Sequence, residues 1–396
     1  MLQLFAMACD PDLDPVPPPP AVDLVSALGP GAVRAGVITD ERALFGGISA
    51  EGRAGDVKLY NDRVRFVIQA VRPGSYYVVE GGGVLDADVV RPDGVVGRDV
   101  VEEWAPMFGL GRISFPESVE VVADGSDGEP AIVRVRGYEG GLGLLEGAVE
   151  LPGIIPDYGL ELVTEYVLAP DSWLLEVRST ATATTEAATF AIGDVLIGAD
   201  EVTSGWVPGS GFGDPPSSPR PWSGYQGDHN DVALGLGAPA GQSLSVVGYD
   251  TLEALVSSVV GAGPPVTLAP GESTQWTRYY AVGPDLATVS AAIAEAQGVE
   301  TQGVEGTVTA ADGPVAGARV VIDLDGAPYT VAVTGADGRF STRVPLGEAR
   351  PLAVGRGPAR FTDLPPGAAF GSPYAAAPVL EEGLASLVGG AAPVPP

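Results

Sequence analysis

The residues with the clearest potential for chemistry lie in one segment between positions 205 and 230, GWVPGSGFGDPPSSPRPWSGYQGDHN. This segment combines aromatic residues with glycine, proline and serine, which predicts a long loop. Aromatic rings offer rigid apolar faces to the C–H surfaces of sugars, and Arg, Asp and Asn side chains can bond to hydroxyl groups. Long ordered loops on a rigid scaffold often carry binding sites. The candidate ligand-binding residues are Trp206, Phe212, Arg220, Trp222, Tyr225, Asp228, His229 and Asn230.

Two other interpretations of this segment stay open. Its aromatic residues could fold back and pack as a lid over the open face of a β-sandwich. The segment could also form a polysaccharide lyase site, in which Tyr225 or His229 would be the base. Arg220 or Asn230 would then stabilise the enolate-like charge.

The rest of the chain favours a non-enzymatic protein. It contains no GxSxG, P-loop, HExxH or CxxC motif. Its one histidine is His229 and its one cysteine is Cys9. Because zinc sites usually include several His or Cys ligands, we expect no metal and no cofactor.

The charge balance limits the partners that the protein could have. The 396 residues include 51 acidic and 21 basic ones, which gives a formal net charge of −30. Nucleic-acid binding depends on Lys and Arg that neutralise phosphates, so this balance argues against nucleic-acid partners. A polysaccharide or an envelope protein is the expected partner, and the sequence gives no indication of the oligomeric state.

The first residues, MLQLFAMAC, resemble the end of a bacterial lipoprotein signal. The resemblance implies that residues 1–9 are a partial signal and that Cys9 is lipidated and anchors the protein to a membrane. Residues 10–33, which begin DPDLDPVPPPP, predict an extended acidic and Pro-rich tether. These features predict a location in the bacterial cell envelope, in the periplasm or at the cell surface, or secretion.

Short strand-like segments dominate from residue 34 to residue 298. Residues 64–71 alternate between apolar and polar side chains, as do residues 132–138, and Gly, Pro and Asp separate such segments. One helix is predicted over Asp285–Gln297, with Asp285 as its N-cap and Gly298 after its end. The predicted fold is all-β, with a large, mostly antiparallel β-sandwich followed by a small one.

The small predicted domain covers residues 304–358. Residues 304–357 resemble carboxypeptidase regulatory-like, transthyretin-like domains in the motifs GTV from Gly306, GPVAGARV from Gly313, TGADGRF from Thr334 and VPLG from Val344. This resemblance implies a small β-sandwich with a structural or adhesive role and no catalytic residues of its own. Residues 359–396, rich in Ala, Gly and Pro, predict a tail of uncertain order.

Two further resemblances concern the larger domain. Residues 158–289 resemble galactose-mutarotase-like supersandwich domains in LELVTEYVLAPDSWLLEVRSTATAT, FAIGDVLIG and LAPGESTQWTRYYAVG. This implies sugar binding, but the set of active-site histidines of mutarotases is missing because His229 stands alone. The phrases GRAGDVKLYNDRVRFVIQ and GGGVLDADVVR resemble the front region of bacterial PHP-type metallohydrolases. The sequence thus predicts a non-enzymatic, carbohydrate- or partner-binding envelope protein. The alternatives are the non-catalytic front portion of a metallohydrolase and a carbohydrate-active lyase or epimerase that uses His229 or Tyr225.

Overall fold

The computed structural model describes most of the chain from residue 22 onwards. The described residues are 22–74, 80–92, 95–109, 111–141, 157–199, 203–212, 219–227, 231–244, 246–249, 254–257, 265–310, 313–356, 379–380 and 384–392. Cys9, the predicted signal and residues 10–21 of the predicted tether lie outside these residues, so the predictions made for them stay predictions. The rest of the predicted tether does not extend freely, because Leu24 is buried in a hydrophobic cluster and Val33 begins a strand.

The fold is nearly all β, with large antiparallel sheets in a sandwich-like arrangement, which confirms the predicted fold class. In chain order, the strands of the large sandwich are β1 (Val33–Val37), β2 (Val57–Asn61), β3 (Val64–Ile68), β4 (Val84–Val89), β5 (Val101–Phe108), β6 (Arg112–Ala123), β7 (Ala131–Gly141), β8 (Leu160–Leu168), β9 (Leu174–Ala183), β10 (Ala188–Phe190), β11 (Ile192–Gly198), β12 (Thr203–Val207), β13 (Gly211–Phe212), β14 (Trp222–Gly227), β15 (Ala233–Gly237), β16 (Val246–Tyr249), β17 (Ala254–Ser257), β18 (Val266–Leu268) and β19 (Ser273–Gly283).

Seventeen of these strands form one continuous hydrogen-bonded sheet, and β10 pairs separately with β18. Through its antiparallel pairs, one half of the sheet runs β1-β2-β3-β4-β5-β11-β17-β16. The other half runs β6-β7-β8-β9-β19-β15-β14-β12-β13. A pair between Phe108 and Arg112 joins the halves, and one hydrophobic cluster receives buried side chains from both.

Alternation along the strands explains why the halves pack face to face. In β7, β8 and β9, buried residues alternate with more exposed ones, so each strand turns one apolar side inward. At the centre of the core, the rings of Trp104 and Tyr280 stack with their centroids 4.3 Å apart. The strand predictions at residues 64–71 and 132–138 correspond to β3 and to part of β7.

The helix α1 (Leu286–Ala296) follows β19, within the predicted range. The Asp285 carboxylate accepts a hydrogen bond from the Thr288 amide at 2.8 Å and caps the helix. After the helix, Gly298 has a φ of 65°, the left-handed conformation expected at a C-terminus. The helix lies close on the sheet because a Cβ at Gly235 would lie 2.1 Å from the Val289 side chain. No helix in the described part of the chain has the length and apolarity that a membrane span requires.

The small module forms two four-stranded sheets around its own core. Its strands are β20 (Thr301–Ala310), β21 (Gly313–Pro314), β22 (Ala318–Leu324), β23 (Ala327–Val333), β24 (Arg339–Pro345), β25 (Ala349–Arg356), β26 (Val379–Leu380) and β27 (Leu384–Ala392). The strands β26 and β27 lie in the segment predicted as a tail of uncertain order, and β27 pairs with β20 from Gly303 to Ala310. The predicted domain boundaries stay predictions.

Candidate functional site

The segment predicted as a long aromatic loop contributes strands to the large sandwich. The strands β12 and β14 pair along their length, and β13 turns back so that Phe212 lies opposite Trp206. The glycines that suggested a loop serve a different purpose within the sheet. A Cβ at Gly224 would lie 2.1 Å from the Leu234 carbonyl oxygen, so this glycine permits the close approach of two strands. The expectation of a loop across this segment is therefore wrong for its described residues.

The structure also corrects the expectation of an open aromatic platform. The side chains of Trp206 and Trp222 are each 1% exposed, and Tyr225 and Phe212 are buried as well. Tyr225 belongs to the central core of the large sandwich. The other three share a cluster with α1 and with Val321 and Val331 of the small module. Their ring faces are covered by protein and cannot stack on a sugar in this structure, as the packing alternative anticipated.

The polar candidates of the same segment have different positions. Arg220 is partly exposed, and its backbone N–H and carbonyl both bond to Leu244 at 2.7 Å. Asp228, His229 and Asn230 lie outside the described residues, so their predicted roles stay predictions. Tyr225, the second candidate base, is 3% exposed and packs in the core.

The buried aromatic residues hold the small module against the large sandwich. The indole Nε1 of Trp206 donates to the Tyr329 carbonyl at 3.0 Å, and the ring of Trp222 meets that of Tyr329 edge-to-face. Arg319 of β22 is 1% exposed and donates from Nη2 to the Gly227 carbonyl at 3.2 Å. The sequence signal that could have indicated this contact is an arginine within the otherwise apolar start of the stretch ARVVIDL.

Asp285 adds a further bond across the same boundary. Its Oδ1 caps α1, and its Oδ2 accepts from the Val333 amide of the small module at 2.8 Å. Burial raises the pKa of Asp285, while the hydrogen bonds from Val333 and Thr288 act in the opposite direction. The same carboxylate thus joins the helix terminus to the small module.

A second cluster of polar groups lies inside the large sandwich. The Asp194 carboxylate accepts from Arg278 Nε at 2.9 Å and from the Tyr280 hydroxyl at 3.0 Å. The Tyr166 hydroxyl donates to the Gly82 carbonyl at 2.8 Å. Burial raises the pKa values of both tyrosines well above their ordinary value. Because Asp194, Tyr166 and Tyr280 are fully buried, this network stabilises the core and does not offer a surface to a ligand.

The outer face of β6 to β9, in contrast, is open and polar. Cross-strand register places its side chains in rows, with Glu120, Arg134, Glu165 and Arg178 in one row and Tyr138 opposite Glu161 in another. The first row contains an ion pair between Arg134 and Glu165 at 2.6 Å. The side chains that point outward include Glu120, Arg134, Arg136, Tyr138, Glu161, Val163, Glu165, Glu176, Arg178, Thr180 and Thr182.

Three neighbouring residues on this face form what we call the polar patch: Arg136, Tyr138 and Glu161. Tyr138 is 49% exposed, and Arg136 and Glu161 are exposed as well. Neither charged side chain has an ion pair or hydrogen bond with the part of the chain that the structure describes. Arg136 and Tyr138 are two residues apart on β7, which corresponds to about 7 Å along a strand. The sequence shows the alternation that exposes Arg136 and Tyr138, but only the β7–β8 register adds Glu161.

This patch has the chemistry of a hydroxyl-rich ligand site. The Tyr138 ring can lie against a C–H face, and its neighbours supply a planar donor and an acceptor for hydroxyl groups. No group of three or more His, Cys, Asp or Glu residues is arranged to hold a metal among the described residues.

Comparison with known proteins gives weak structural similarities. No protein-family model matches the chain, and no curated protein matches it. Similar solved structures include a TPR-domain containing protein from Parabacteroides distasonis, with 12% identity, a TM-score of 0.36 and coverage of 61% of this chain and 50% of that one. A galactose mutarotase related enzyme from Lactobacillus acidophilus has 10% identity and a TM-score of 0.34, over 57% of this chain and 97% of that one. A polysaccharide lyase has 12% identity and a TM-score of 0.33, over 71% of this chain and 43% of that one.

The solved neighbours thus include galactose mutarotase-like folds, the family that residues 158–289 resemble. At these identities and TM-scores, the likeness carries no argument about what the chain binds or does. The chain spans half the length of the TPR-domain protein. The resemblances to carboxypeptidase regulatory-like domains and to PHP-type metallohydrolases have no support among these similarities and stay predictions.

Proposed function

We propose that the protein is a non-enzymatic binding protein of the bacterial envelope that recognises polysaccharide through the polar patch. The observation that carries this proposal is the exposure of Arg136, Tyr138 and Glu161 side by side on an uncovered sheet face. Four other charged residues on that face are held in ion pairs, Arg134 with Glu165 and Arg178 with Glu176. The charged residues of the patch are available to a ligand.

The dimensions of the face suit an extended chain of sugars. Neighbouring strands lie about 4.8 Å apart, so the four strands β6 to β9 present a surface about 14 Å across. The Thr, Glu and Arg side chains that line this face in rows can bond to hydroxyl groups, and Tyr138 supplies one aromatic contact. An open face of this kind suits a polymer better than a small enclosed sugar.

Binding without catalysis is part of this proposal. Hydrolysis of a glycosidic bond usually needs two carboxyl groups that act as acid and as base or nucleophile. Of the other carboxylates on the same face, Glu165 and Glu176 are held in ion pairs with Arg134 and Arg178. The residue contacts support recognition of hydroxyl groups and give no reason to add a chemical step.

Affinity gel electrophoresis on a panel of neutral and acidic polysaccharides tests the proposal. We expect the wild-type protein to be retarded by at least one polymer. Tyr138→Ala and Arg136→Ala should each weaken that binding by about tenfold, the loss expected from a contact worth about 1.4 kcal/mol. Leu346→Ala, which truncates an exposed residue of the small module, is the matched control and should bind like the wild type. Retention by no polymer, or equal retention of Tyr138→Ala and wild type, would contradict the proposal.

The envelope location is a separate proposal that rests on the sequence. Cys9 follows a short apolar stretch, and the Pro-rich segment after it would place the sandwich at a distance from the membrane. Mass spectrometry of the mature protein, isolated from an envelope fraction, should show a diacylglyceryl-modified Cys9 at the N-terminus. An intact, unmodified Met1 in that fraction would exclude the anchor and leave the binding proposal untouched.

A further inference from the structure

The outer face of the large sandwich extends beyond the polar patch onto β9 and β19. The register pairs Tyr138 with Glu161, and it pairs Glu161 with Thr182 of β9. Thr182 lies opposite Ser273 of β19, and their hydroxyl groups form a hydrogen bond at 2.8 Å. Phe115 of β6 lies opposite Tyr138 at the other end. Residues directly opposite each other point to the same face, so these side chains form one row across β6 to β9 and β19.

A second row runs beside the first. Arg136 of the polar patch lies opposite Val163. Val163 lies opposite Thr180, which in turn lies opposite Gln275 of β19. Gln275 is exposed, and Thr180 is partly exposed. From β7 to β19 the two rows are two residues apart on each strand, which corresponds to about 7 Å. We call the two rows together the cross-strand track.

Paired side chains and the helix α1 border the cross-strand track on one side. The next outward residues along β7 and β8 are Arg134 and Glu165, which form an ion pair at 2.6 Å. On β19, the Tyr279 hydroxyl donates to the Ala296 carbonyl of α1 at 3.2 Å. A ligand that ran along the strands in this direction would meet side chains that already bind each other, and then the helix. The open polar groups therefore favour a ligand that crosses the strands.

The spacing of the cross-strand track suits a linear polysaccharide. Neighbouring strands lie about 4.8 Å apart, which is close to the length of one sugar unit in an extended polymer. A polymer that crosses the strands can therefore place one unit over each strand, from Tyr138 on β7 to Ser273 on β19. A disaccharide, in contrast, covers only two of these strands.

The charges of the cross-strand track suit an uncharged polymer. Its two charged members, Arg136 and Glu161, have opposite signs and balance each other. The chain as a whole carries a net charge of −30, which repels polyanions. The hydroxyl groups of Thr182 and Ser273 and the amide of Gln275 can each donate and accept hydrogen bonds, as sugar hydroxyl groups do. An uncharged polysaccharide thus matches the track in both charge and hydrogen-bonding groups.

We infer that the cross-strand track binds an uncharged, extended polysaccharide that runs from β7 to β19 and needs about four sugar units to fill the site. The inference rests on the proposed function and adds the direction of the polymer, its charge and its minimum length. It also assigns binding contacts to Thr182, Ser273 and Gln275, which lie outside the polar patch. The Tyr138 ring contacts the sugar at one end, and Gln275 bonds to the sugar at the other end.

NMR titration with cello-, manno- and xylo-oligosaccharides of two to six units tests this inference, with oligogalacturonides of the same lengths as charged comparators. For at least one uncharged series, the affinity should rise at least about tenfold from the dimer to the tetramer, since the two added units form further hydrogen bonds. From the tetramer to the hexamer it should change by less than about threefold, because the track is then full. Each oligogalacturonide should bind at least about tenfold more weakly than its uncharged counterpart.

Two variants separate this inference from the polar-patch proposal. Thr182→Val and Gln275→Ala should each weaken hexamer binding by about fivefold, the loss expected from one hydrogen bond, and should leave dimer binding at the polar patch unchanged. Tyr138→Ala should weaken the binding of both lengths. Thr189→Val is the matched control, because Thr189 is also an exposed strand residue whose hydroxyl bonds to a hydroxyl on the neighbouring strand, but it lies off the track. This control should bind like the wild type.

The inference is overturned if no uncharged series binds, if the tetramer binds no better than the dimer, or if the oligogalacturonides bind more tightly. It is also overturned if Thr182→Val and Gln275→Ala both bind the hexamer as the wild type does. In that case the polar-patch proposal stands as long as Tyr138→Ala weakens binding. The two fail together only if neither uncharged nor acidic polymers are bound.

Discussion

Trp206 of the large sandwich donates a hydrogen bond from its indole nitrogen to the backbone carbonyl of Tyr329 in the small module, over 3.0 Å. The residues between them in the chain include the helix α1, which packs against both parts. Of the aromatic residues that the sequence singles out as ligand contacts, Trp206, Phe212 and Trp222 therefore pack against the protein's own second module, whereas Tyr225 packs in the core of the large sandwich. The first three side chains are buried because the helix α1 and the small module cover this side of β12 and β14.

Trp206→Ala should strongly destabilise the protein. Loss of the buried indole should lower the free energy of unfolding by about 3 to 5 kcal/mol. Trp206→Phe keeps an aromatic ring but removes the hydrogen bond to Tyr329. It should lower the free energy of unfolding by about 1 kcal/mol beyond the loss that the smaller ring alone causes. Urea denaturation followed by tryptophan fluorescence and circular dichroism measures both. Leu346→Ala is the control, and an unchanged midpoint in Trp206→Ala would refute the packing role.

Arg319→Met should separate the contribution of the buried guanidinium from that of its aliphatic stem. The variant leaves the Gly227 carbonyl without its donor and should lower the free energy of unfolding by about 1 to 3 kcal/mol. Arg319→Lys should not regain the stability of the wild type, because a lysine ammonium group cannot reproduce the planar, forked geometry of the guanidinium. Chemical denaturation of the three proteins gives the comparison. Full stability of Arg319→Lys would show that the fork geometry is unimportant here.

Gly47→Ala should disrupt the contact between residues 46–48 and 95–100. The added methyl group would lie within 2.6 Å of three atoms of Asp99, including its backbone nitrogen and oxygen. We expect a loss of stability of about 1 to 3 kcal/mol, since backbone atoms cannot move away as a flexible side chain can. Gly29→Ala, where a Cβ meets nothing within 4 Å, is the matched control. Equal thermal midpoints for the two variants would show that the contact is looser than described.

Asp86 should make stability depend on pH in an unusual direction. Burial raises the pKa of Asp86 from 3.8 to about 6, despite hydrogen bonds from the amides of Glu51 and Gly52. Because the folded state then binds a proton more tightly than the unfolded state, the contribution of Asp86 is fully present below pH 3.8. It declines as the pH rises to about 6, by up to about 3 kcal/mol.

Asp86→Asn isolates this effect. Between pH 4 and pH 7, the free energy of unfolding of the wild type should fall relative to that of Asp86→Asn. Urea denaturation at a series of pH values measures the difference. A constant difference across that range would mean that Asp86 has an ordinary pKa.

Several elements of the fold could be predicted from the sequence because their signals are local. The alternation at residues 64–71 and 132–138 predicts strands, and Asp285 and Gly298 mark the ends of the helix. Each of these signals depends on neighbours within a few residues. Short-range sterics and hydrogen bonds are sufficient to produce them.

The burial of the aromatic residues and the assembly of the polar patch depend on contacts that are distant in the chain. Glycine and tryptophan between residues 205 and 227 are compatible with a loop or with closely spaced strands, and the choice depends on cover from a module about 100 residues later. Glu161 joins Arg136 and Tyr138 only through the register of β7 and β8. Composition and alternation thus determined an all-β sandwich protein with an α-helix after its large sandwich. Tertiary packing decided which aromatic residues are buried and which polar ones remain open to a ligand, because burial depends on what covers a face and not on the residues of that face alone.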